Sequence, residues 1–277
     1  MKRISIVGFG LIGGSLSLAL RRSGKAHVTA IDRAPVLARA EAKDAADEHL
    51  PLEETESLKA ALERSDLTVL AVPVTTIIRL LPWALTHSSV VTDCGSTKRE
   101  IAQAAAECPR GARFVPGHPM AGLPDGGIEN ARGDLFEGRT WIVCPEQAEP
   151  EARQTVAEMI TMTGANLLEL TPEAHDRAVA VTSHLPQLLA SSLYSLAEEE
   201  QARVAMGPAF ERATRGAGGV ESMWSDIFET NADEVARAAE MLSQELSKVA
   251  AGLRRSPPDT HAALAMLARA RSRRGQS

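Results

Sequence analysis

The chain has 277 residues, enough for one large or two smaller domains, and an ordinary globular balance of 44% hydrophobic and 24% charged residues. A formal net charge of -6 argues against nucleic acid as a main partner, and no apolar run reaches the ~18 residues of a membrane span. Aromatics are only 3%, so aliphatics and alanine must build the core; the three cysteines (Cys94, Cys108, Cys144) are too scattered for a zinc site or a disulfide framework and read as reduced thiols. The opening "MKRISIVGFG" has no signal-peptide character, so a soluble, cytoplasmic protein is expected.

A short β-branched run, Ile4 to Val7, meets Gly8, Gly10 and Gly13 in a G-x-G-x-x-G, followed by a helical segment with Leu16, Leu18 and Leu20 and a second strand, Val28 to Asp32. Strand, glycines, helix, strand and a terminal acid together predict a dinucleotide-binding βαβ unit of Rossmann type. Gly8 permits the tight turn, Gly10 lets the backbone approach a pyrophosphate at the helix N-terminus, and Gly13 lets the helix pack close to the sheet. Asp32 can accept hydrogen bonds from a ribose diol and repels a 2′-phosphate, which favours NAD; the adjacent Arg33 keeps NADP open. The alternative is a glycine-rich turn with no ligand.

Further strands are predicted at Leu67–Val72, Val90–Asp93, Arg113–Val115, Thr140–Cys144 and Asn166–Leu170, with helices between most of them. The alternation makes the fold class α/β, a mainly parallel sheet wound on both faces. The loops after Val72, Asp93 and Val115 then gather around the cofactor, with Val72 and Pro73 beside it. The stretch "PGHPMAGLPDGG", residues 116–127, shows neither helical nor strand period and reads as a loop. Loops rarely need an imidazole for packing, so His118 is a candidate for chemistry; its alternative is to cap backbone carbonyls. Asp125 and Glu129 are expected to face water.

After Leu170 no strand signal appears. Thr171 as cap and Pro172 in the first turn open a long helical segment, broken or kinked at Pro186. His175 and Asp176 near its start read as capping or solvated residues, with reach toward the nicotinamide region as the other reading. Asn231 and Glu234 have capping-box spacing ahead of an apolar stripe of Val235, Ala238, Leu242, Leu246, Val249 and Leu253. A last helix is expected from Asp259, and Arg269, Arg271, Arg273 and Arg274 read as a frayed, solvated terminus. The expected division is a dinucleotide-binding domain, residues 1–170, and an all-helical substrate and dimerisation domain, residues 171–277. The long apolar stripes call for a homodimer.

The segments "VGFGLIGGSL", "AVPV", "DCGSTK", "PGHPMAG", "SHLPQ" and "TRGAG…MWSDIF…N", in this order, resemble the prephenate dehydrogenase family, which includes arogenate and cyclohexadienyl dehydrogenases. The resemblance spans nearly the whole chain. It implies an oxidoreductase that oxidises prephenate or arogenate with NAD(P) and releases CO2 on the way to tyrosine, the substrate lying between a dinucleotide domain and a helical dimerisation domain. Prephenate has a secondary alcohol at ring C4 and a carboxylate at C1. Hydride leaves C4, the hydroxyl proton goes to a neutral imidazole, and the ketone draws electrons as CO2 departs, a course that needs no metal.

By the same resemblance His118 is the catalytic histidine, and Ser96 the serine bonded near the same hydroxyl or the histidine, with a helix N-cap as its alternative. Lys98 matches a substrate-binding lysine, with a solvated first-turn lysine as alternative. Arg215 matches the arginine that holds a substrate carboxylate, with a surface arginine as alternative, and Trp224 lines that pocket or packs in the helices. His184 and Gln187 share a helical face toward the substrate, with a satisfied buried histidine as the other reading of His184. Many members have histidine where Gln187 stands, which leaves prephenate against arogenate open. Competing readings are a β-hydroxyacid or imine reductase and a non-catalytic NAD(H) sensor. No appended regulatory domain is expected, so tyrosine feedback would act at the active site.

Overall fold

The computed structural model describes residues 1–123, 125–198 and 200–275; Pro124 of the histidine stretch and the last two residues of the expected helical domain fall outside them. In chain order the first part holds β1 (Lys2–Val7), α1 (Leu11–Arg22), β2 (Ala26–Asp32), α2 (Ala34–Ala42), β3 (Glu48–Pro51), α3 (Thr55–Glu63), β4 (Leu67–Leu70), α4 (Val74–His87), β5 (Val91–Asp93) and α5 (Arg99–Ala106). It continues with β6 (Phe114–Val115), β7 (Gly117–Pro119), β8 (Thr140–Val143), α6 (Pro150–Met162) and β9 (Asn166–Glu169). Helices follow: α7 (Pro172–Val179), α8 (Leu185–Leu196), α9 (Glu200–Val204), α10 (Pro208–Thr214), α11 (Glu221–Thr230), α12 (Ala232–Leu253) and α13 (His261–Arg274).

The period-two pattern of the strands sets the two faces of a six-stranded parallel sheet, ordered β3-β2-β1-β4-β5-β6. Ile4, Ile6, Val28, Ala30, Leu67 and Val69 join α1 and α6 on one face, while Val7, Ile31, Leu70 and Val91 join α3, α4 and α5 on the other. Val7 pairs with both Ile31 and Leu70, so the carboxyl ends of β2, β1 and β4 lie level. The strand order reverses between β1 and β4, and there the Gly8 turn emerges.

Two expectations are corrected. Glu48–Pro51 is a strand on the sheet edge, β3; it is short, polar and half-exposed, so no alternation announces it. The histidine stretch does not begin as a loop: Gly117–Pro119 is β7, antiparallel to β8, with His118 opposite Ile142. Three residues, the last of them a proline, carry no period, and only the partner strand reveals the pairing. β8 pairs in parallel with β9, so these three strands form a second sheet rather than extending the first.

A buried ion pair joins the two sheets. Asp93, the last residue of β5, accepts hydrogen bonds from the Gly95 amide (2.7 Å) and the Gly117 amide (2.9 Å). The Lys98 ammonium donates to the same carboxylate and to the Gly117 carbonyl (2.8 Å), and neither side chain has exposed surface. Gly117 is required there: a Cβ would stand 2.8 Å from the Asp93 carbonyl oxygen.

In the helical part the Thr171 hydroxyl accepts the Ala174 amide at 3.1 Å, as its capping position predicts. The break expected at Pro186 is a π-helical turn, Ala180–His184, between α7 and α8. A proline in the first turn of α8 has no amide to continue the α-helical ladder, and the wider turn absorbs the missing bond. The capping box at Asn231 does not form: that side chain bonds elsewhere and is fully buried. Val235 and Ala238 pack on Ala180, whereas Leu246 and Leu253 farther along the stripe are about half exposed. The last helix starts at His261, whose amide bonds the Asp259 carboxylate (3.0 Å). It stays helical to Arg274, so the terminal arginines are exposed but not frayed, and Arg269 pairs with Glu245 at 2.6 Å. Among the described residues no helix is long and apolar enough to cross a membrane.

Removing one member of a buried pair strands the other charge. Lys98→Met is therefore expected to cost about 3–5 kcal/mol in urea denaturation, and adding Asp93→Asn to recover part of that loss.

Candidate active site

The first half of the site is made of backbone. Gly8 has φ +92°, and a Cβ on it would meet Ala71 and Val72 across the sheet. A Cβ on Gly13 would drive into the Gly8 carbonyl oxygen, so α1 can lie this close only with glycine there. At Gly10 the Cβ direction is open space, and no side chain caps the helix that starts beside it. An uncapped N-terminus behind an open glycine fits a pyrophosphate. The Asp32 carboxylate accepts the Phe9 amide at 2.6 Å and the Arg33 amide at 2.7 Å, holding the acid at the mouth of the turn. Arg33 projects into solvent, its side chain 74% exposed. Val72 and Pro73 follow β4 after Ala71, Val72 against Gly8 and Pro73 exposed at the start of α4. The residues present therefore fit a dinucleotide.

The second half is a chain of polar side chains crossing from one part of the molecule to the other. His118 Nδ1 and His175 Nε2 are 2.8 Å apart, with the rings tilted by 60°. His175 Nδ1 lies 2.7 Å from Asp176 Oδ1. Asp176 also accepts the backbone amides of Lys98 (2.7 Å) and Arg99 (3.0 Å) and the Arg99 Nε (3.3 Å). Asn231 donates to the Asp176 carbonyl (2.9 Å) and to His184 Nδ1 (3.3 Å), while its Oδ1 accepts from Arg99 (3.3 Å). His118, His175, Asp176, His184 and Asn231 are all buried. His175 and Asp176 are thus neither solvated nor caps of their own helix; Asp176 caps α5, which has no cap of its own.

Electrostatics keep the imidazoles neutral. Burial first, and then the charges of His175, Lys98 and His184, hold His118 well below the ordinary histidine range. Burial likewise lowers His175 against the opposing pull of Asp176, and pushes His184 down to about 4. Burial works to raise the Asp176 carboxyl, but the His175 N–H and the Arg99 and Lys98 amides outweigh it and hold the group below its usual value. Because an amide nitrogen only donates, His184 Nδ1 must be the acceptor from Asn231; its proton sits on Nε2, which is buried without a partner among the described residues.

The remaining sequence-predicted residues divide. Ser96 is half-buried in the loop after β5, its hydroxyl bonded to no described residue; it is not the cap of α5. Lys98 is neither solvated nor on the wall of the site, because its ammonium is buried against Asp93 and Gly117; it supports the strand that carries His118. Gln187 turns to the Gly218 carbonyl and ties down the glycine segment after Arg215. Arg215 ends α10, exposed and paired with no described residue. Trp224 links the groups, edge-on to His184 with centroids 6.1 Å apart and close to Gly219. His118 and Lys98 meet around Gly117, and His184 joins through Asn231, whereas Gln187 belongs to a second cluster with Gly218 and Gly219, and Arg215 stands exposed in the chain just before it. Four members escaped sequence reading, His175 and Asp176 among them, read as caps or solvated residues. Asn231 looked like an ordinary cap, and Asp93 had no assigned role, although an acid ending a strand two residues before a glycine was visible. Asp125 and Glu129 are exposed.

Comparison with known proteins gives a consistent result. The family model "Prephenate dehydrogenase, nucleotide-binding domain" matches residues 16–169, and "Prephenate dehydrogenase, dimerization domain" matches residues 171–266. The prephenate dehydrogenase of Bacillus subtilis (strain 168) is 30% identical over 260 residues, covering 89% of this chain and 68% of that protein. The crystal structure of prephenate dehydrogenase from A. aeolicus in complex with hydroxyphenyl propionate and NAD+ superposes with a TM-score of 0.86 at 27% identity, covering 99% of this chain and 98% of that one. Synechocystis arogenate dehydrogenase gives a TM-score of 0.80 at 27% identity, covering 98% and 99%.

The glycines separate packing from binding. Gly13→Ala is expected to lower stability by about 1–3 kcal/mol as well as weaken binding; Gly10→Ala is expected to cost at most about 2 kcal/mol and act mainly on the ligand. Urea denaturation and NAD titration of both variants check this.

The three lowered histidines also set an acid limit. Unfolded, they titrate near pH 6.5, so below that the unfolded chain binds protons that the folded one refuses. Stability is then full above about pH 6.5 and falls as pH drops, by up to about 1.4 kcal/mol per unit per histidine. The share of His184 levels off near its folded value of about 4. Denaturation midpoints followed from neutral pH into this window check the slope, which is expected to be shallower in His184→Phe.

Proposed function

Because the chain belongs to the prephenate dehydrogenase family, we propose that it oxidises prephenate at the ring hydroxyl and releases the C1 carboxylate as CO2, with NAD, in tyrosine biosynthesis. The observation that carries this reading is His118: a neutral, buried imidazole on β7, next to Gly117 at the carboxyl end of β5 and bonded to the helical part. NAD, when bound, supplies the acceptor for the hydride from C4. Gly8, Gly10 and Gly13 with the start of α1 would hold its pyrophosphate, Asp32 its ribose diol, and Val72 and Pro73 its flank.

His118 accepts the hydroxyl proton as the C–H bond breaks, a transfer that needs a base neutral at working pH. The new ketone is conjugated through the ring to C1; the carboxylate bond electrons enter the ring, CO2 leaves, and aromatisation drives the step. Ser96 offers a free hydroxyl near the same centre, and the His184 Nε2–H a buried donor for a substrate oxygen. Arg215, paired with no described residue, is the cation offered to a carboxylate, which it can grip with two parallel N–H donors. Burial keeps Cys94 protonated, so no thiolate competes.

Arogenate is the second reading, favoured by Gln187. That neutral amide, held by Gly218, brings no positive charge to the end where the keto acid and the amino acid differ. The reading also sets the domain boundary between Leu170 and Thr171 and makes the protein a cytoplasmic homodimer. The exposed Leu188, Leu189 and Leu193 of α8 and Leu246 and Leu253 of α12 supply the apolar faces for pairing.

Initial rates with prephenate and with arogenate, each with NAD and NADP, decide the substrate; prephenate with NAD is expected to be fastest, and turnover of arogenate alone would select the second reading. His118→Asn is expected to keep NAD affinity and lose about 10²–10⁴-fold in kcat. Near-wild-type turnover in that variant would defeat the proton role.

A further inference from the structure

We propose that His175 and Asp176 are positioning residues that hold His118 in one tautomer, with the proton on Nδ1 and a bare Nε2 lone pair for the substrate. The proposal rests on the reading of His118 as the base and adds what makes it one.

Four donors converge on Asp176: the Lys98 and Arg99 amides, the Arg99 Nε and His175 Nδ1. A carboxylate so surrounded can only accept, so His175 Nδ1 carries a proton. His175 is fully buried in a region that also holds the Lys98 ammonium, and a second proton would add a cation there. Its Nε2 is therefore an acceptor, and the atom 2.8 Å away, His118 Nδ1, must be the donor. By elimination the lone pair of His118 lies on Nε2. A reversed tautomer would leave two facing lone pairs at the His118–His175 contact, and His118 could not accept a proton through Nε2 until that hydrogen had gone.

The buried His118 and His184 thus each have Nε2 free, with opposite polarity. His118 presents an acceptor and His184, fixed by Asn231, presents an Nε2–H donor. A secondary alcohol that becomes a ketone needs an acceptor for its proton, and its oxygen accepts a donor at both stages. When His118 takes the proton, its Nδ1–H stays on His175, and the Asp176 carboxylate lies one ring farther on to stabilise the imidazolium. His118 belongs to the strand after β6 and His175–Asp176 to α7, so the tautomer is set only while the two parts are docked.

The test reads the tautomer without turnover. The full chain, labelled with ¹⁵N-histidine and assigned with His118→Asn, is examined by long-range ¹H–¹⁵N spectroscopy in the absence of substrate. The expected result is Nδ1–H and unprotonated Nε2 for His118, and Nε2–H for His184. His175→Ala is expected to abolish the single His118 tautomer and lower kcat about 10²–10³-fold while NAD affinity changes less than about threefold; His175→Gln, which keeps an acceptor, is expected to restore part of both. Because His175→Ala leaves the Asp176 contacts to α5 in place, it is the primary variant, with Asp176→Asn as the second. An Nε2–H signal for His118 in the wild-type protein would overturn the proposal whatever the substrate proves to be. So would a His175→Ala variant with an unchanged tautomer and wild-type kcat. Failure of the dehydrogenase reading shows separately, as absent turnover of both substrates with the spectrum unaltered.

Discussion

One buried carboxylate, Asp176, is the point where two parts of the molecule, one helix terminus and the candidate base meet. An ion without exposed surface costs several kcal/mol unless its lone pairs are filled. Here the filling comes from both sides: amides of Lys98 and Arg99 from the sheet domain, His175 from the same helix. Helix α5 brings no cap of its own, so its exposed amides and the acid are each incomplete without the other. Docking the helices on the sheet and orienting His118 are therefore one event. Thr97 against Thr230 (2.7 Å) and Thr75 against Asp226 (3.1 Å) close the same seam with neutral or half-buried partners.

The two halves of the site are built by different means. The proposed dinucleotide cradle is backbone, so its requirements are for absent side chains: Gly8 for its positive φ, Gly13 for closeness, Gly10 for open approach. The substrate half is made of side chains whose polarity is set by burial. The loop after β5 folds around its own acid, Asp93, with Gly95, Gly117 and Lys98 as donors, while the Ser96 hydroxyl is bonded to no described residue. A lysine that looks like a ligand for an anion is instead part of the frame.

Local order of elements was legible because it rests on local physics. Alternation in Ile4–Val7 and Val28–Asp32, the glycine spacing, Asp32, and Thr171 with Pro172 all state conformational preferences within a few residues. His118 stood out because an imidazole among glycines and prolines has little to pack against. The same locality hid β3 and β7: strands of four and three residues hold no readable period, and β7 exists through its pairing with β8. Asn231 was misread for the matching reason. Its spacing to Glu234 satisfies a capping pattern, but a stronger use of the amide, between Arg99, Asp176 and His184, is available only in three dimensions.

By itself, then, the amino-acid order determined the class of fold, the cofactor turn, the change from strands to helices and the identity of the candidate base, since each follows from neighbours in the chain. Tertiary structure alone decided that Lys98 points inward, that Gln187 holds a glycine segment, and that His175 and Asp176 stand behind His118 from 57 residues away in sequence. Those outcomes depend on which polar groups lose their water together. Desolvation is a property of the packed surface, and no window of sequence contains it.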